Sequence, residues 1–96
     1  MSIAEIEHAR ACICYDSGSM LLDADDRDLI GQLIDAMDNA LLVLRVAGGP
    51  APAVQSALVT VEAAFTLVRL CLRNQELRDL VFHHRLWLVN KEVLRD

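Results

Sequence analysis

His8 and Cys12 stand four residues apart, and Cys14 follows two residues later. On a helix that four-residue spacing puts an imidazole and a thiol on one face, and both are ligands for zinc or copper. His83-His84-Arg85, far along the chain, could add a ligand, act as a proton switch or contact a phosphate. The His8–Cys12 pair could also be read as a base beside a nucleophile. Each reading meets a geometric obstacle. A Cys-x-Cys pair on a helix splays its sulfurs, and adjacent histidines point roughly 100° apart, so at most one of His83 and His84 faces a core. No fourth ligand and no third catalytic group stands at a fixed spacing. Cys12, Cys14 and Cys71 read better as small hydrophobes in a packed interior.

The other chemical signatures fail more plainly. Asp23-Ala24-Asp25-Asp26-Arg27-Asp28 is rich in oxygen ligands. A calcium loop begun at Asp23 would need an oxygen ligand, a Gly and a Glu where Arg27, Asp28 and Ile34 stand. The run reads instead as a helix start, with Asp as N-cap and acids complementing the positive end of the dipole. There is no Gly-x-Ser-x-Gly, no glycine-rich phosphate loop and no His-Glu-x-x-His. The expectation is a protein that is not an enzyme and carries no cofactor and no metal.

The elements that would position these residues are all helices. Ser2 with Glu5 fits a capping box, and Ile6, Ala9 and Ile13 recur at three and four, predicting a first helix over 3–16. Asp16-Ser17-Gly18-Ser19 is turn chemistry. A second helix is expected over 25–46. Ile30, Ile34, Met37, Leu41 and Leu44 form its seam, Leu33 and Leu42 widen it, and Asp28, Gln32, Asp35 and Asp38 mark its wet side. Gly48-Gly49-Pro50 stops that helix, and Pro52 suits the first turn of the next, so residues 47–51 predict the bend of an αα-hairpin.

The third helix, from Pro52, carries polar residues at Gln55, Glu62, Thr66, Arg69, Arg73 and Glu76, one narrow stripe in an otherwise apolar span. It is expected to be a central helix buried over most of its circumference. One helix from 52 to 96 would exceed ~60 Å, so a break is expected near Asn74, with a last helix over 75–94. The apolar window Ala57–Leu72 contains Glu62 and Arg69 and falls short of the ~20 residues of a membrane span, so none is expected.

Composition bounds the rest. The 96 residues make a single domain over 1–96, and 54% of them are hydrophobic though only 4% are aromatic. So short a chain has limited interior for that much aliphatic surface. The net charge of −5 argues against nucleic-acid binding, because neutralising phosphates needs clustered Lys and Arg. Three cysteines form no disulfide framework, and acids at Glu5 and Glu7 replace the positive start of a secretory signal, so a cytoplasmic setting is expected.

The expected fold is therefore all-α: a small helical bundle on a central αα-hairpin with flanking N- and C-terminal helices, dimeric through its surplus aliphatic face. The expected function is that of a non-enzymatic interaction module. It would sequester a partner protein by its amphipathic helix or dimerisation face, as small anti-activators and secretion chaperones do. The expected contact residues are Arg69, Leu70, Arg73, Val81, Arg85, Leu86, Trp87 and Leu88, with Trp87 as anchor. Two alternatives are a ligand- or metal-binding bundle using His8, Cys12 and Cys14, and an acidic mimic of nucleic acid built on Asp25, Asp26 and Asp28.

Overall fold

Three of the four helices begin where a side chain satisfies an otherwise orphaned backbone amide, and the other begins at a proline. The Ser2 side chain, on extended backbone, accepts the Glu5 N–H at 3.2 Å and opens α1 (Ile3–Gly18). Asp23 accepts the Asp26 N–H at 2.8 Å and opens α2 (Ala24–Ala47). Pro52 opens α3 (Pro52–Cys71), where a missing N–H costs nothing. The Asn74 side chain accepts the Leu77 N–H at 3.0 Å and opens α4 (Gln75–Val89). The computed structural model describes residues 2–47 and 52–89, the side chains of Ala47, Leu86, Trp87 and Val89 excepted. The expected glycine bend and the part of the last helix beyond Val89 lie outside the described residues.

The helices form a closed ring of neighbours. Among the described residues α1 packs on α2 and α4, and α3 packs on α2 and α4, while the diagonal pairs do not meet. The largest shared surface is that of α2 with α3. Arg10 pairs with Asp38, and Arg45 with Glu7 at 3.0 Å, across the outside of the α1–α2 contact. Each helix contributes one inward stripe. Ile6, Ala9 and Ile13 come from α1; Ile30, Leu33, Met37, Ala40 and Leu41 from α2. From α3 come Ala57, Val61, Phe65, Val68 and the following Leu72; from α4, Leu77, Val81 and Leu88.

Two expectations about faces are corrected. In α2, Leu33 is a central core residue, whereas Leu42 is exposed. In α3 the expected burial over most of the circumference does not occur. Val59, Leu67 and Leu70 are 64%, 52% and 67% exposed, on the side opposite Val61, Phe65 and Val68. The reason is dimensional. The molecule is 20 Å thick in its thinnest direction, about two helix diameters, so each helix keeps an open side. With α1 on the far side of the ring, nothing in the chain's described part covers the outside of α3.

Candidate functional site

Three places gather unusual residues. The first is the outer face of α3. Val59, Glu62, Ala63, Thr66, Leu67 and Leu70 line an open depression of about 540 Å³ there. Apolar groups make up most of it, with Glu62 and Thr66 as its polar members. Arg69, next to Leu70 in sequence, is half-buried and turned toward α4, its guanidinium 4.0 Å above the centroid of the Phe82 ring. None of the described residues covers these side chains, and a contiguous apolar patch on a helix face can mark an interaction site. By length and composition α3 could also cross a membrane, and only 28% of its most apolar window is buried in the bundle.

The second place is the break between α3 and α4. Asp26 is 2% exposed. Its carboxylate accepts the Arg73 N–H on one oxygen and the Asn74 N–H on the other, each at 3.0 Å. The charge faces the N-terminus of α4, where the helix dipole favours it. Outside this buried clamp the Arg73 side chain reaches Asp25 at 3.5 Å and Asp23 at 3.8 Å. Part of the acidic run thus caps its own helix, and part fastens a second one. Its most conspicuous acid is committed to the fold, and with it one leg of the nucleic-acid-mimic reading.

The third place is the α1–α4 contact. His84 continues the inward stripe of α4 and is buried, while His83 is exposed beside it. The rings of His84 and His8 lie 6.4 Å apart and those of His83 and His84 5.7 Å apart, both edge-on. Cys12 Sγ lies 3.6 Å from His8 Nε2 on the exposed side of α1, a weak contact. Cys14 projects elsewhere and is exposed, as is Cys71. Among the described residues no three His, Cys, Asp or Glu side chains are grouped so as to hold a metal ion. The helix separates Cys14 from the His8–Cys12 pair, which removes the third ligand the alternative needs.

Burial lowers the proton affinity of His84, the charges of His83 and His8 act in the same direction, and Asp16 opposes them. An unfolded chain takes up this proton near the ordinary value of 6.5, and the folded chain only at lower pH. Between those points the unfolded state binds more protons, so stability is lost as pH falls below about 6.5. The thermal midpoint is expected to drop on acidification through that range, and H84Q to flatten the dependence. An NMR titration placing the folded His84 midpoint at or above 6.5 would refute this.

The eight expected contact residues divide. Leu70 and Arg69 lie on or beside the open face of α3. Val81 is fully buried and Leu88 is 4% exposed, so both belong to the core and are unsuited to an outside contact. Their positions continue the stripe of Leu77 and His84, which the ring closes over. Arg73 is engaged with the acids of α2. Arg85 is half-buried, and its Nε has no hydrogen-bond partner among the described residues. The side chains of Leu86 and Trp87 lie outside the described residues. Sequence reasoning missed Val59, Ala63 and Leu67. Their signal was there: they recur at four, the spacing of a second helical stripe beside the buried one. Neither family models, nor curated proteins, nor solved structures give a significant match to this chain, so any functional reading rests on its own residues.

Proposed function

We propose that this chain is a non-enzymatic interaction module, a small regulator that sequesters a partner protein through an apolar helix face, in the manner of an anti-activator or chaperone. The observation that carries the reading is the row of Val59, Leu67 and Leu70 left open along α3. Burying a side chain of that kind contributes about 1.5–3 kcal/mol. Three of them, with Ala63 between, offset a good part of the cost of association. An αα-hairpin of α2 and α3 presents this face, and the natural ligand for it is another amphipathic helix laid along it. Free cysteines suit a cytoplasmic setting. The dimeric assembly belongs to the same proposal.

A photo-crosslinking residue placed at Leu67 in living cells tests it. The expected result is an adduct heavier than two copies of the chain, lost when Leu70→Glu is added. Absence of any such adduct would sink the sequestration reading.

A further inference from the structure

We propose that the outer face of α3 docks a second copy of this chain, antiparallel, about a twofold axis beside Ala63 and Thr66. This rests on reading that face as an interaction surface and names what covers it in the free protein, a second copy that a sequestered partner would have to displace.

Val59, Ala63, Thr66 and Leu70 recur at four, three and four, which is the seam of a two-helix coiled coil. The residues that anchor α3 in its own bundle, Val61, Phe65 and Val68, lie on the opposite side, so the seam is available without disturbing the core. An antiparallel twofold sets Val59 of each chain against Leu70 of the other. It brings Ala63 to Thr66 at the centre, where small side chains let the axes approach. The threonine hydroxyls raise no obstacle. Thr66 donates to the Glu62 carbonyl at 3.1 Å and Thr60 to the Ser56 carbonyl at 2.9 Å, so closing the seam strands neither.

Charge selects the occupant and the direction. Glu62 and Arg69 stand seven residues apart on one flank of the seam, with opposite signs. An antiparallel twofold places Glu62 of each chain beside Arg69 of the other, which makes two pairs from one. A parallel pair would set this flank against Thr60 and Leu67 and gain no ion pair. Self-complementarity of this kind is what an interface between identical copies requires, whereas an unrelated helix makes no such demand.

Sedimentation of the full chain over a dilution series tests the proposal. The wild type should sediment as twice 10.7 kDa. E62R and R69E each put like charges across the seam twice and should each weaken the dimer roughly tenfold. Mixed in equal amounts, they should recover wild-type affinity, because both cross-chain pairs are again of opposite sign. L70E should be monomeric with unchanged circular dichroism. If R69E loses helicity, V59E and L70E probe the seam from its two ends.

A wild-type monomer at every concentration, or a mixture no tighter than its parts, would overturn the proposal. So would flotation of the wild type with phosphatidylcholine vesicles, which would make a lipid surface the occupant. The two readings fail separately. A monomer that still gives the heavier adduct from Leu67 leaves the interaction module standing, and a dimer without that adduct leaves only self-association.

Discussion

Replacing Asp26 with alanine is expected to cost the fold about 2–4 kcal/mol. The carboxylate accepts two backbone N–H groups at 3.0 Å in a site closed to water, and its loss leaves both donors buried without a partner. Each such orphan costs about 1–3 kcal/mol. A chain of this size has roughly 5–14 kcal/mol in all, so the loss is a large share of it. Asp26→Asn keeps the shape and one acceptor but turns an amide N–H₂ toward the other donor, and should cost about half as much. Asp25→Ala gives the contrast. Asp25 is exposed and among the described residues pairs with the exposed Arg73 guanidinium, at 3.5 Å, so the change should stay within ~0.5 kcal/mol. Urea unfolding followed by circular dichroism measures all three. A loss below about 1 kcal/mol for Asp26→Ala would mean that water replaces the carboxylate.

Among the described residues Phe65→Ala is expected to have the largest effect of any single truncation, about 3–5 kcal/mol, because Phe65 heads their largest fully buried side chains and the helices around it can collapse only partly. Leu67→Ala, two residues on, should cost under about 1 kcal/mol in a monomer, because its side chain is already half in water. The pair measures the two-sidedness of α3 directly. Comparable losses at both positions, with the protein kept dilute, would mean that α3 is covered all round and that its outer face is no docking surface. Higher protein concentration should make Leu67→Ala more costly if a second copy covers that face.

The helices were legible in the sequence because their starts are written in short-range chemistry. Ser2, Pro52 and the break at Asn74 each act within one turn of where they stand, and the observed helices begin within a residue of the expected positions. The all-α bundle follows from them. The direction each apolar face takes was less legible. Spacing shows that α3 has apolar stripes on both sides but does not show which side a small chain will cover, since that depends on how many helices surround it. Val81 and Leu88 were expected at a contact surface for the same reason, and they fell into the core once α1 and α3 closed around α4. Asp26 was not legible at all as a clamp. Its partners are backbone amides 47 and 48 residues away, and a backbone amide carries no residue type to recognise. His84 lies between. The sequence limits the inward histidine to one of the pair, and only the packing of α1 on α4 decides which.

The Asp26 clamp also has a meaning in time. Its cap partner Asp23 and the first turn of α2 form locally, within the span of a single loop closure. The bonds to Arg73 and Asn74 cannot form until α2 has found the far end of α3, half the chain away. A contact that is completed late stabilises the native state more than the barrier leading to it. Asp26 is thus placed to act as a latch on unfolding, setting how long the assembled ring persists once it has closed.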